Sequence, residues 1–179
     1  MARWVLVRHG ETAWNAANRV QGQIDIALHA RGRDQARSTG RALRQENFIA
    51  VYASDLSRTT ETAKIILEEN NGSPELYLRR ELREIAYGTF EGKSWPEINA
   101  LDPETSNRQY VRDLNFAPPE GESFRGLLTR LQIFVEQLWH EHSDDDLLVV
   151  AHGGSLRALA VVVLGLPWES IWNLRGLSP

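Results

Sequence analysis

The sequence predicts an α/β fold built on a largely parallel sheet. Three observations predict it. Short apolar runs that read as buried strands (Trp4–Val7, Ile49–Ala53 and Leu147–Ala151) recur along the chain. The stretches between them carry helical periodicity instead of a second strand within hairpin distance. The resulting alternation of strand and helix is the pattern of parallel α/β sheets.

The elements follow in order. Residues 3–7 read as the first strand. Residues 30–46, with Ala36, Leu43 and spaced arginines, read as an amphipathic helix. Ile49–Ala53 is a second buried strand, ending at Ser54-Asp55. Ser57 is placed to cap the next helix, which runs through Glu61, Ala63, Ile66 and Leu67 to a stop at Asn70-Asn71-Gly72. Leu76-Tyr77-Leu78 is a short strand, and residues 83–93 form an ordered loop with two glycines. Residues 95–114 are helical but polar, and Pro118-Pro119-Glu120-Gly121 ends that stretch. Ser123 opens a long helix with Leu127, Leu128, Leu131, Phe134, Val135, Leu138 and Trp139 at helical spacing. Asp144-Asp145-Asp146 is a turn, and His140 and His142 before it are expected to be solvated. Leu147–Ala151 is the third strong strand, followed by His152-Gly153-Gly154 and a helix from about Ser155 to Leu164. The reading is one domain over 1–179 with a cap inserted at about 95–122. The chain stops soon after Trp168-Glu169-Ser170-Ile171 with no closing strand. A second copy would cover the sheet edge this leaves open, so a homodimer is an expectation.

Composition narrows the class. A chain of 179 residues buries roughly 70% of its unfolded surface and needs no staples. Its hydrophobic fraction of 42% and charged fraction of 25% are those of an ordinary globular protein. It has no cysteine, hence no disulfide and no thiolate metal site. The start shows no leader-like segment, and the longest apolar run, Leu156–Leu166, contains Arg157 and is too short to span a bilayer. The expected location is the cytoplasm, away from membranes. A net charge of −4 argues against nucleic acid as a partner. Arginine greatly outnumbers lysine, which occurs only at Lys64 and Lys93.

The chemistry gathers at strand ends. The first strand delivers Arg8 and His9 into the loop Gly10-Glu11-Thr12. In a parallel sheet the loops after residues 3–7, 50–54 and 147–151 leave the same edge, where such folds place ligands. The second loop offers Arg58, and the third offers His152 with the amides of Gly153 and Gly154. Two guanidinium groups, two imidazoles and a helix start on one edge make a site for a dianion.

At this point the chain resembles the histidine phosphatase superfamily, in its phosphoglycerate-mutase-like branch. The segments LVRHGETAWN (6–15), NRVQGQIDIAL (18–28), YASDLSRTTETA (52–63), LREIAYGTFEG (82–92), PPEGESF (118–124) and VVAHGG (149–154) carry the resemblance. They stand in the family's order and span nearly the whole chain. The resemblance implies a three-layer α/β/α fold, with His9 attacking phosphorus to form a phosphohistidine. Arg8, Arg58 and His152 would hold the phosphoryl oxygens, and Glu84 would be the general acid. Arg8 and Arg58 disfavour a protonated His9, which keeps the ring nucleophilic. Glu84 has to carry its proton in the substrate complex, where a bound phosphate dianion favours it. The alternative for Glu84 is a surface pair with Arg80 or Arg83; Glu11 is the rival acid.

Thr12, Asn15, Gln21 and Gly22 match pocket-lining positions of the family, and Asn15 is read equally well as a turn cap. Trp14 and Tyr87 wall the pocket or simply pack. His29 replaces the usual Thr or Ser before a helix and is expected to be a poorer cap. His9, His152 and Glu84 are three residue types that can ligate a metal, but Arg8 and Arg58 would repel a cation, so no metal and no cofactor is expected.

The acceptor decides between phosphatase and mutase. The family's mutases hold a carboxylate with a lysine just after the acid loop and an adjacent arginine pair in the cap. Here Trp95 takes the lysine's place, Lys93 is two residues off, and Arg108 and Arg112 are not adjacent. Glu120 and Glu122 would repel a second anion. The reading is a metal-independent phosphatase acting on a small phosphorylated metabolite, with the mutase as alternative and a weak phospho-ligand binding module as a third reading. The loop 119–123 resembles that of α-ribazole phosphatases and broad-specificity phosphatases. Trp95, Tyr110 and Phe116 either stack on the leaving group or form the cap's own core.

Overall fold

The structure, a computed structural model, describes residues 2–104 and 113–174. Arg108, Tyr110 and Arg112 lie outside these residues. Four strands, β1 (Trp4–Arg8), β2 (Ala50–Ser54), β3 (Glu75–Arg79) and β4 (Leu147–Ala151), form one parallel sheet in the order β1-β4-β2-β3. Position in that order explains the sequence of each strand. β2 and β4 lie inside the sheet and are buried at every residue, hence their unbroken apolar runs. β1 and β3 are outer strands and are only partly buried.

Alternation along β4 builds the layers. Leu147, Val149 and Ala151 face a core shared with helices α5 (Phe124–Glu141) and α6 (Gly153–Val163). Leu148 and Val150 face the opposite core with Val51, Ala53, Ala63 and Ile66, under α3 (Ser57–Glu69). Helix α2 (Ala30–Ala42) packs on α3 through Ala36 and Ile65. The result is the three-layer α/β/α fold that the sequence predicts. No helix among the described residues is long and apolar enough to cross a membrane.

Several local expectations change. The helix expected to reach residue 46 ends at Ala42, because Asn70 Nδ2 donates to the carbonyls of Leu43 (2.7 Å) and Glu46 (3.1 Å) and fixes a turn there. Ser57 is not the cap of α3. Its amide and hydroxyl both donate to Asp25 Oδ1, at 2.8 and 2.7 Å, so a distant carboxylate caps the helix. His29 caps α2 well: Nδ1 accepts from the Gly32 amide (3.2 Å) while Nε2 meets Glu11 Oε1 (2.8 Å). Among the described residues the polar stretch after residue 94 is helical as α4 (Trp95–Leu101) and again at 103–104, and Asp102, which precedes a proline, interrupts it. His142 is not solvated: Nε2 meets the Tyr52 hydroxyl and Nδ1 meets Asp145, each at 2.9 Å.

Register sets the site. Arg8 lies opposite Ala151, and Ala53 lies opposite Val150, so β1, β2 and β4 end level with one another. The His9 amide still donates to the Ala151 carbonyl (3.0 Å), which holds the residue after β1 beside the residue after β4.

Candidate active site

A cleft of about 150 Å3 opens over these strand ends. Arg8 at the end of β1, His9 just after it, Arg58 from α3 and Glu84 from the loop 83–93 (the acid loop of the sequence reading) line it together with Asn15, Gln21 and Gly22. The sequence reading thus places seven of its residues on one wall system.

His9 is buried, with Nδ1 2.7 Å from the Gly10 carbonyl. A carbonyl only accepts, so in the neutral ring Nδ1 carries the proton and Nε2 keeps its lone pair. Burial is the main force against its charged form, and Arg58 and Arg8 add to it, which takes the pKa from 6.5 down to about 3. The ring is therefore uncharged at neutral pH.

Arg58 is fully buried. NH1 and NH2 donate to the carbonyls of Ile24 (2.8 Å) and Gly22 (2.7 Å), and Nε donates to His152 Nδ1 (3.2 Å). Burial draws its pKa down to about 10, which leaves it charged. Arg8 is also lowered by burial, an effect that Glu84 opposes and Arg157 reinforces.

His152 is wholly buried behind the cleft wall, its ring centroid 5.2 Å from that of His9. Because Nδ1 accepts from Arg58, the neutral ring carries its proton on Nε2, and that nitrogen has no hydrogen-bond partner. Burial, Arg58 and His9 hold its pKa well below 6.5.

Glu84 reaches the N-terminus of α6. Oε2 accepts from Gly154, and Oε1 accepts from Ser155 and from Ile85, each at 3.0 Å. A Cβ on Gly154 would stand 2.4 Å from Oε1, so this seat requires the second glycine of His152-Gly153-Gly154. The alternative partners for Glu84 are taken: Arg83 binds both oxygens of Asp55 at 2.6 Å, and Arg80 approaches the same carboxylate. Glu11 faces His29 and is not on the cleft wall, so the geometry sets the rival acid apart from the site.

The remaining residues divide. Thr12 is buried beneath the cleft and does not line it. It caps helix α1 (Ala13–Ala16) in a box with Asn15, and its hydroxyl also approaches Gln21 Oε1 (2.9 Å). Asn15 spends Oδ1 on the Thr12 amide and hydroxyl, both at 3.0 Å, which leaves the Nδ2 end as its donor. It is a turn cap and a cleft residue at once. Gly22 has φ of +53°, and its carbonyl is the one Arg58 binds. Gly153 lines a neighbouring chamber and not this cleft. Tyr87 lines the cleft; Trp14 packs near Gly92.

Four participants escaped the sequence reading. Arg19 lines the cleft, with NH1 on the Gly92 carbonyl at 2.5 Å. Arg157 lines the neighbouring chamber; the signal for it was a single charge inside an apolar run. Asp25 caps α3, as described. Arg130 ties Glu122 (Nε to Oε1, 2.8 Å) to the carbonyls of Glu81, Arg83 and Glu84. The last pairing also corrects the expectation that Glu122 repels anions, because its charge is matched. Trp95 lines the cleft and stays 41% exposed, outside the small core of Val20, Phe90 and Ile98, whereas Phe116 packs against the main core.

The chain is similar to known proteins in sequence and in fold. A metal-independent phosphoserine phosphatase of Arabidopsis thaliana is 39% identical over 158 residues, covering 87% of this chain and 66% of the relative. Phosphoglycerate mutase-like protein 4 of the same plant is 38% identical over 164 residues, covering 88% and 69%. The structure of the α-ribazole phosphatase from Shigella flexneri superposes with a TM-score of 0.86 at 29% identity, covering 97% of this chain and 85% of that one. The family model of the histidine phosphatase superfamily, branch 1, matches residues 4–178, and the chain belongs to that superfamily.

Proposed function

We propose that the protein is a metal-independent phosphomonoesterase that hydrolyses a small phosphorylated metabolite through a phosphohistidine on His9. The observation that carries this reading is His9 itself: a buried, uncharged imidazole, its proton fixed on Nδ1, beside two guanidinium groups. Nε2 attacks phosphorus, and the positive charge that develops on the ring is eased by the Gly10 carbonyl at Nδ1. Arg8 and Arg58 hold the phosphoryl oxygens, and the unspent Nε2–H of His152 donates to one of them. Glu84 gives its proton to the leaving alkoxide, then takes one from the attacking water, so inorganic phosphate departs and His9 is restored. Asn15 and Gln21 supply further donors at the rim. Arg8 and Arg58 make the same cleft unfavourable for a divalent cation.

Water as acceptor is favoured over a sugar acid because Trp95 stands where the mutases place lysine, and Lys93 Nζ is turned to the Thr89 carbonyl. The relatives carry both kinds of name, so mutase activity is the second reading. The test is hydrolysis of p-nitrophenyl phosphate with and without EDTA, and its loss in His9→Ala. Activity that survives the substitution removes His9 as nucleophile. Incubation of 3-phosphoglycerate with and without 2,3-bisphosphoglycerate separates hydrolysis from isomerisation.

A further inference from the structure

Main-chain carbonyls aim Arg58. NH2 donates to the Gly22 carbonyl at 2.7 Å and NH1 to the Ile24 carbonyl at 2.8 Å. A carbonyl can aim a guanidinium only if its own peptide group is fixed. The peptide that joins Gly22 to Gln23 is held from its other end, because the Gln23 amide donates to Glu91 Oε1 at 2.9 Å. The bond is trans, so this planar group presents its N–H and its C=O to opposite sides. A carboxylate therefore stands on one side of the peptide and a guanidinium on the other.

The seat of Glu91 is defined as closely. Oε1 also accepts from the Tyr87 amide at 3.0 Å, which ties the carboxylate to its own loop. Val20 pairs with Gly92 and Lys93 at 2.8 and 2.9 Å and keeps the two loops side by side. A Cβ on Gly22 would stand 1.9 Å from Oε1, so a larger residue there would displace the carboxylate. Glu91 does not line the cleft, yet its charge reaches Arg58. Burial draws that guanidinium down, and Glu84, Asp25 and Glu91, in that order, oppose it. A peptide polarised between opposite charges makes stronger bonds at both of its ends. The Glu84 carboxylate is held separately. It rests on the amides of Ile85, Gly154 and Ser155, none of which Glu91 touches.

We propose that Glu91 is a positioning residue that orients Arg58 toward the phosphoryl group through the Gly22–Gln23 peptide. This rests on the reading of the cleft as the phosphate site. It separates two glutamates of one loop, Glu84 serving the leaving group and Glu91 serving the anion grip.

Calorimetric titration with orthovanadate, an oxyanion of the shape of phosphate, reads that grip without turnover. Glu91→Ala raises the Kd about 10-fold, the range expected when a charge-assisted hydrogen bond is lost. Glu91→Gln keeps an accepting oxygen and raises it about threefold or less. Misfolded protein lowers the number of binding sites and not the Kd. Lysine cannot hold both carbonyls, so in an Arg58→Lys background Glu91→Ala changes the Kd by less than about twofold. In turnover, Glu91→Ala lowers kcat/KM for glycerol 3-phosphate and for p-nitrophenyl phosphate by the same factor, because the acid keeps its seat. A Kd in Glu91→Ala within about twofold of the parent overturns the proposal, as does a full loss that persists in Arg58→Lys. A loss confined to the alkyl ester overturns it as well, because Glu91 then acts on the acid. Vanadate affinities that follow this cycle, in a parent protein that releases phosphate from neither ester, support Glu91 and overturn the phosphatase reading instead.

Discussion

At the scale of residues, the site depends on which lone pairs remain free. Glu84 Oε1 is saturated by two amides, whereas Oε2 accepts only one. In the proposed mechanism Oε2 is therefore the oxygen that would carry the proton to the leaving group. Glu84→Gln should slow alkyl phosphates by about 10²–10⁴ and p-nitrophenyl phosphate far less, because a nitrophenolate leaves without a proton. Steady-state rates on the two substrates check this, and equal losses would remove the acid role. Gly154→Ala should produce the same imbalance, since the added Cβ would lie 2.4 Å from Oε1 and push the carboxylate from its seat. Arg8, His9, Arg58 and His152 were legible in the sequence because each follows a strand end at short range, whereas Glu84 came from the family resemblance of segment 82–92. The sequence did not reveal their bonds. Nδ1 of His9 is tied by the carbonyl of its own neighbour Gly10, and His152 Nδ1 is taken by Arg58 across 94 positions of chain, geometry that local pattern does not encode.

Among elements, the acid loop is held by a helix on the far side of the cap stretch. Arg130 of α5 donates to the carbonyls of Glu81, Arg83 (2.8 Å) and Glu84 (3.2 Å) while pairing bidentately with Glu122. Arg130→Met leaves the carbonyls of Glu81 and Arg83 and a half-buried carboxylate without their donor, while the Glu84 carbonyl keeps Gln23 Nε2. The expected loss is about 1–3 kcal/mol, the usual cost of stranding such groups. Urea unfolding measures it, and Glu122→Gln, which keeps one accepting oxygen and leaves Arg130 on the loop carbonyls, should lose less. The same scale shows why helix ends were the least legible elements. Interior strands could be read at once because burial on both faces leaves only apolar residues there. Helix α3 is capped by Asp25, 32 positions before Ser57, and the carbonyls after α2 are taken by Asn70, beyond the next helix. Neither partner is adjacent in sequence, so Ser57 and residue 46 were the natural but wrong choices.

For the whole molecule, the level ends of three parallel strands gather two guanidiniums and two neutral imidazoles into one buried cluster, inside a chain of net charge −4. That arrangement ties stability to pH. His9 folds with a pKa of about 3, and His152 also lies well below 6.5, while both regain the ordinary value when unfolded. Below pH 6.5 the unfolded chain takes up protons that the folded site refuses, so unfolding becomes easier as pH falls. The contribution is fully present above pH 6.5 and fades toward pH 3. Between pH 6.5 and 5 His9 should remove about 2 kcal/mol, the work of 1.5 pH steps at about 1.4 kcal/mol each, and His152 adds a loss in the same direction. Urea unfolding at pH 7.5 and 5.0 measures the total, and the same pair of measurements on His9→Asn isolates one share of it. The variant should lose about 2 kcal/mol less than the parent on acidification. Equal losses in the two proteins would mean that His9 takes its proton in the folded state as readily as in the unfolded one, and an imidazole so charged has no lone pair with which to attack phosphorus.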